Sequence, residues 1–206
     1  MAKSKVTPAG TAQWPRLNSP DTKFDEDGVY KTDLVLGAEE SEDLREAIDQ
    51  IAEEGWQNAI DKESKPAKKN ALKKFNYHAP YFPEEDDQTG EETGNFVFRF
   101  KTKAKNKDGS TKKLPLVDAK KKPVGEIVGN GSTIKVAFSP NDYQMPTSKQ
   151  YGCTLYLNAV QVLDLVAAGG GGASAFDEED GFESEEAPEE VFAGASDSED
   201  ETDGDF

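Results

Sequence analysis

The chain has one cysteine, one histidine and two tryptophans in 206 residues, and each scarcity removes a class of chemistry. A lone Cys153 leaves no internal disulfide framework and suits a reducing compartment. Cys153 and His78 cannot supply the four ligands of a structural zinc site. The acidic runs EEDD (84–87) and SDSEDETD (196–203) lack the spaced loop of a calcium site, so no metal or other cofactor is expected. There is no GxxxxGK[ST], no GxGxxG after a strand and no GxSxG. The glycine run at 169–172 precedes carboxylates, which would repel phosphate rather than cradle it. An enzyme reading survives only as a carboxylate site that no motif locates. No stretch approaches the ~18 continuous apolar residues of a membrane span, and MAKSKVTPAG has no apolar segment of a secretory leader.

Basic residues are missing altogether from 173–206, which hold 15 Asp or Glu. That arm accounts for most of the formal net charge of -17, because residues 1–172 hold 26 acidic and 24 basic residues. The body is nearly neutral and locally basic. Residues 95–150 carry 12 Lys or Arg against 4 acidic residues, and 62–76 carry 6 Lys against Glu63. Charge of both signs is thus segregated into a body and an arm.

Four prolines or glycines (Pro8, Gly10, Pro15, Pro20) predict an irregular N-terminal arm to about Asp27. VYKTDLVL (29–36) predicts a strand with Tyr30, Thr32, Leu34 and Leu36 on one face. Ser41 predicts a helix cap, and Leu44, Ala47, Ile48, Ile51 and Ala52 form the apolar stripe of a helix to about Ile60, followed by a basic linker at Pro66. Residues 77–95 read as loop. NFVFRFKTKAK then alternates, with Phe96, Phe98, Phe100 and Thr102 on one side and Val97, Arg99, Lys101, Lys103 and Lys105 on the other. NKDG (106–109) predicts a turn, with short strands at 112–118, 124–128 and 132–138 and a longer one from Tyr151 to about Val166. In that last strand the apolar phase slips from Cys153, Leu155, Leu157 and Ala159 to Val160 and Val162, which predicts a bulge. Many short strands and one helix predict a mainly β fold, a small curled sheet or barrel over residues 1–168. Gly169–Gly172 predicts a flexible joint, and the sparse Phe176, Phe182, Val191, Phe192 and Phe206 beyond it cannot build a core.

The basic row has a functional reading and a plain one. Same-face residues of a strand lie about 6.6 to 6.8 Å apart, so Arg99, Lys101, Lys103 and Lys105 can track a single-stranded phosphate backbone. Single-strand binding also needs aromatic platforms, and Trp14, Tyr77, Tyr143, Tyr151 and Tyr156 are available. The plain reading is a solvated lysine face. Cys153 and His78 read as packing residues.

Several stretches, in order across nearly the whole chain, decide between these. PAGTA (8–12), GVYKTDL (28–34), FVFRFK (96–101), LVDAKKK (116–122), GNGSTIKVAFS (129–139), LYLNAVQVLDLVAA (155–168), the GGGG joint and the terminal DGDF resemble the single-stranded DNA-binding proteins of T7-like bacteriophages. The resemblance implies an oligonucleotide/oligosaccharide-binding fold, a five-stranded barrel with one added helix, that forms homodimers in the cytoplasm of an infected bacterial host. It implies a role in phage DNA replication, recombination, repair and strand annealing, with an acidic tail (169–206) that docks the phage DNA polymerase and primase-helicase. It implies a protein that is not an enzyme, and carried onto this chain it implies Lys3, Arg99, Lys101, Lys103 and Tyr143 as DNA-binding residues and Phe206 as the partner-binding tip. The strand alternation adds Lys105 to the first set, and the acidic arm adds Asp203 and Asp205 to the second. Three positions depart from the family. Met145 replaces a tryptophan, Asp27 a basic residue and Lys103 an aromatic; the last exchange shifts the site toward phosphate contact and away from stacking. Two rival readings stay open: an acidic nucleic-acid mimic on a scaffold body, and an RNA-binding chaperone of the same fold, since nothing in the sequence senses a 2'-hydroxyl.

Overall fold

The computed structural model describes residues 4–106 and 108–167. Lys3, the Gly169–Gly172 joint and the acidic arm with Asp203, Asp205 and Phe206 lie outside them. The described elements are β1 (Lys5–Val6), β2 (Gly10–Asp21), β3 (Val29–Gly37), α1 (Glu42–Lys62), α2 (Pro66–Leu72), β4 (Asn76–His78), β5 (Tyr81–Glu85), β6 (Glu92–Lys103), β7 (Leu116–Val117), β8 (Thr133–Met145) and β9 (Gln150–Asp164). They form a mixed sheet with two helices, of the kind found in oligonucleotide/oligosaccharide-binding folds. The pairings run from β8 through β2, β3 and β6 to β9, and β9 pairs with β8 again along nearly its whole length.

Period-two patterning places the core. In β3, Tyr30, Thr32, Leu34 and Leu36 are buried, and in β6 so are Phe98, Phe100 and Thr102. Phe98 and Phe100 lie at the centre. Tyr81 tilts against Phe98 at 5.3 Å between centroids, and Phe138 meets Phe100 edge-on at 5.2 Å. Leu44, Ile48 and Ala52 seat α1 on the core beside β8 and β9. Gly55, a poor helix former, stands where β8 comes closest: a Cβ there would fall on the Asp142 side chain. The phase slip in β9 is a bulge, because Ala137 pairs with Ala159 whereas Phe138 pairs with Leu157, leaving Asn158 as the extra residue.

Several local expectations are corrected. The segment from Gly10 to Asp21 is a strand, not an irregular arm. Its register shifts between Gln13 and Arg16 and again between Arg16 and Asp21, so Pro15 and Pro20 fall in irregularities where no ladder hydrogen bond is lost. Ser41 precedes α1 but makes no side-chain cap; its hydroxyl donates back to the Ala38 carbonyl at 3.2 Å. The basic linker contains a second helix, α2, started by Pro66. Most of 77–95 is strand, since β4 adds to β9 and β5 to β6. Residues 124–128 form no strand; only isolated bridges from Pro123 to Val117 and from Val128 to Ala167 remain. The strand expected to end at 138 runs on to Met145, so Tyr143 lies in β8 opposite Gly152. No described helix is long and apolar enough to cross a membrane.

Candidate nucleic-acid interface

From Arg99 onward the odd-numbered residues of β6 face away from the core, and Arg99, Lys101, Lys103 and, just past the strand, Lys105 are exposed; Val97, expected on the same side, is instead buried. Along the strand, however, three of the four meet a carboxylate. Arg99 Nε is 3.6 Å from Asp33 Oδ2, Lys103 Nζ is 3.7 Å from Asp25 Oδ2, and Lys105 Nζ is 2.6 Å from Asp27 Oδ1. Asp25 and Asp27 come from the β2–β3 connection and Asp33 from β3. Lys101 has no ion pair among the described residues. The hydrogen bond from Lys105, reinforced by its charge, holds the Asp27 carboxyl below its ordinary range and raises the Lys105 ammonium. Asp33 goes the other way, because burial pushes its carboxyl up against the pull of Arg99. Arg99 is also held from its second face, with its guanidinium 4.6 Å from the centre of the Phe82 ring.

Across the strands the pattern differs. Arg16 of β2 pairs with Lys31 of β3, Lys31 with Lys101 of β6, and Lys101 with Tyr156 of β9. Three interstrand steps of about 4.8 Å make a band roughly 14 Å long. Directly opposed like charges cost a sheet stability, so three successive cations in register are an arrangement that an anion would relieve. Asp21 relieves part of it, accepting from Lys31 at 2.7 Å. That hydrogen bond, with a second from the Lys23 backbone N–H, holds the Asp21 carboxyl below its ordinary value. Tyr156 ends the band with 44% of its surface exposed.

The aromatic candidates separate by what their polar ends do. Tyr151 stacks flat on Trp56 at 4.4 Å and donates to Glu53, and Tyr77 donates to Asp49. Tyr81 donates to the same carboxylate, so the side chains of α1 absorb three tyrosines into packing. Burial and the acceptor push the Tyr81 and Tyr151 phenols up to about 12, and Tyr77 higher still. Tyr143 shares the outer face with the band but does not join it. It stands over Gly152, four residues along β9 from Tyr156, and its hydroxyl is 3.2 Å from His78 Nδ1. His78 thus has a hydrogen-bonding role that its aromatic surroundings did not suggest, and Cys153 is buried in the core.

Two features escaped sequence reasoning. Arg16 and Lys31 belong to the band only through register, and nothing local marks them. Phe82 and Phe24 are exposed on the same side as the cations, Phe24 to 87%. Among the described residues no group of three or more His, Cys, Asp or Glu is placed to hold a metal ion.

A sheet carrying a band of cations that ends on an exposed aromatic is the architecture of a nucleic-acid-binding protein. The chain belongs to the family of single-stranded DNA-binding proteins of bacteriophage T7, whose model matches residues 5–165. This family is non-catalytic, and the chain is not an enzyme. It is 31% identical to the single-stranded DNA-binding protein of Enterobacteria phage T3, over 79% of this chain and 76% of that one. It is likewise 31% identical to the single-stranded DNA-binding protein of Escherichia phage T7, over 83% of this chain and 80% of that one. The crystal structure of gp2.5, a single-stranded DNA-binding protein encoded by bacteriophage T7, superposes with a TM-score of 0.65 at 26% identity, covering 90% of this chain and 100% of that one. The fold is also shared with the single-stranded DNA-binding protein of bacteriophage Enc34 in complex with ssDNA, at a TM-score of 0.53 and 13% identity over 80% of this chain and 88% of that one.

Proposed function

We propose that this protein binds single-stranded DNA without sequence preference, with the strand crossing β2, β3, β6 and β9 along the Arg16–Lys31–Lys101–Tyr156 band. The in-register stacking of three cations carries the reading, because it is unfavourable for the sheet alone and favourable once phosphates lie over it. Arg99, Lys103 and Lys105 add phosphate contacts after exchanging their carboxylate partners. Tyr156 supplies a base platform, and Tyr143, farther along the same face, a second one. Lys3, which the family resemblance names, adds a further phosphate contact. The return of β9 onto β8 supports a five-stranded barrel as the core of a binding domain spanning residues 1–168.

Family membership supports a role in phage DNA replication, recombination, repair and strand annealing, in the cytoplasm of an infected bacterium and as a homodimer. Residues 169–206 act as an acidic arm that docks the phage DNA polymerase and primase-helicase. Asp203 and Asp205 meet the partner's basic patch, and the Phe206 ring fills an apolar pocket within it. Charge alone gives reach and rate; the ring gives selectivity.

Titration of fluorescent oligo-dT, oligo-U and duplex DNA at two salt concentrations tests the binding reading. Oligo-dT is expected to bind most tightly, with an affinity that falls steeply with salt. Failure to retain oligo-dT at low salt would return the chain to the nucleic-acid-mimic reading, and a preference for oligo-U to the RNA one.

A further inference from the structure

Trp14 combines three unfavourable features. Its backbone φ is +50°, a left-handed conformation that bulky L-residues avoid. It precedes Pro15, where the chain is normally extended. Its indole is 69% exposed. The conformation arises from the β2 bulge: Gln13 pairs with Asp33 and Arg16 with Lys31, so three steps on β2 match two on β3. The Trp14 N–H, turned out of the ladder, donates to Asn130 Oδ1 at 2.6 Å. A glycine would adopt this backbone without strain, yet the position holds the largest side chain available.

The ring divides two concavities. One, of about 630 Å³, is lined by Trp14, Arg16, Lys23, Phe24 and Lys31 among others, with Asp21 as its single carboxylate. The other, of about 1040 Å³, is lined on its far side by Asp33, Glu84, Glu85, Asp86 and Asp87 against Arg99 alone. A phosphate backbone is attracted to the first and, beyond the reach of Arg99, repelled by the carboxylates of the second. Arg16 and Lys31 are also the first two members of the cation band, so the basic concavity continues the band at its β2 end.

We infer that Trp14 is a base-stacking platform that closes the β2 end of the single-strand track, taking a nucleobase on its Phe24 side while Arg16, Lys23 and Lys31 hold the adjoining phosphates. The inference rests on the single-stranded DNA reading above. The bulge and the Asn130 hydrogen bond aim the indole outward, and the acidic rim beyond it turns the strand back. Because stacking uses the base face, the platform is tolerant of sequence but blind to a strand without bases.

The chain's two tryptophans allow a direct test. Trp56 is stacked on Tyr151, so Trp56→Phe keeps that contact and leaves Trp14 as the only indole reporter. Full-length protein in this background is titrated with oligo-dT of about 20 nucleotides and with an abasic deoxyribose-phosphate oligomer of equal length. Oligo-dT is expected to quench the indole and the abasic strand to leave it bright. Trp14→Ala should bind oligo-dT about 5- to 150-fold more weakly, the loss of one stacked base, with abasic affinity unchanged within about twofold. Trp14→Gly should lose the same affinity while melting no lower than wild type, because glycine relieves the backbone. A purely structural tryptophan would lower melting and weaken both ligands together. An unquenched indole at saturating oligo-dT, or equal losses for the two oligomers, overturns the platform. Failure of the wild-type chain to bind oligo-dT by anisotropy overturns instead the reading on which it rests.

Discussion

Asp25→Asn should strengthen single-stranded DNA binding, and the structure sets how much. Lys103 and Asp25 are 3.7 Å apart with 69% and 32% of their side-chain surface exposed, so water screens the pair heavily. Coulomb's law at that separation in bulk water gives about 1 kcal/mol before salt acts. Exposed pairs of this kind measure about 0.2 to 1 kcal/mol. A phosphate that takes Lys103 must displace Asp25, so removing the carboxylate charge should return that energy to binding. The expected gain is about 1.4- to 5-fold in affinity, at the lower end above about 0.1 M salt. Anisotropy titrations of wild type, Asp25→Asn, Lys103→Ala and the double variant form a cycle that isolates the pair. The gain from Asp25→Asn should vanish when Lys103 is absent. An equal gain in both backgrounds would mean that Asp25 acts only as a distant negative charge and that the ion pair does not restrain Lys103.

Four further outcomes follow from the same geometry. Lys101→Glu/Lys103→Glu should abolish most single-strand affinity in a folded protein and flatten the log K against log salt slope by up to about 1.4, which a salt titration reads. Phe98→Ala should cost about 3 to 5 kcal/mol in chemical denaturation, because the ring is fully buried between Tyr81 and the core. Asp33 should give binding a distinctive pH response. Its folded pKa lies above its ordinary value of 3.8, so it protonates before Asp21 and Asp27 as pH falls, releasing Arg99 and strengthening binding in wild type but not in Asp33→Asn. The same shift makes its contribution to folding stability grow as pH falls through the folded pKa. Asp21 and Asp27, held below 3.8, contribute stability above that value and lose it on further acidification. Phe206→Ala should leave DNA affinity near normal while weakening polymerase binding by about 1.5 to 3 kcal/mol in calorimetry.

What the sequence made legible was local and periodic. The alternation of Phe96 to Lys103 placed three aromatics inward and the cations outward, and the slip after Ala159 marked the β9 bulge. Helix α1 was readable from its stripe. Elements that owe their form to distant partners were not. Pro15 and Pro20 hid β2, because a proline inside a strand needs an edge or a bulge to spare its missing hydrogen bond, and the β2 bulges are set by its register with β3. Short β4 and β5 exist because β9 and β6 offer edges to pair with.

The site divides in the same way. The basic row of β6 was visible along the chain, but its restraints were not. Asp25, Asp27 and Asp33 approach from segments some 66 to 78 residues earlier in sequence, so no local pattern could pair them with Lys103, Lys105 and Arg99. Arg16 and Lys31 become neighbours of Lys101 only through the register of three strands. Tyr77 and Tyr151 read as free aromatics until α1 supplied Asp49 and Glu53 to hold them.

Ultraviolet cross-linking of saturating oligo-dT to the full-length protein, followed by peptide mapping by mass spectrometry, tests most directly where the strand runs. Cross-links are expected on Tyr156 and on peptides carrying Arg16, Lys31 and Lys101, with Tyr77 and Tyr151 protected by their contacts to α1. Cross-links concentrated on Tyr77, Tyr151 or the lysines of α2, with the β2–β3–β6–β9 band unmodified, would contradict the proposed path.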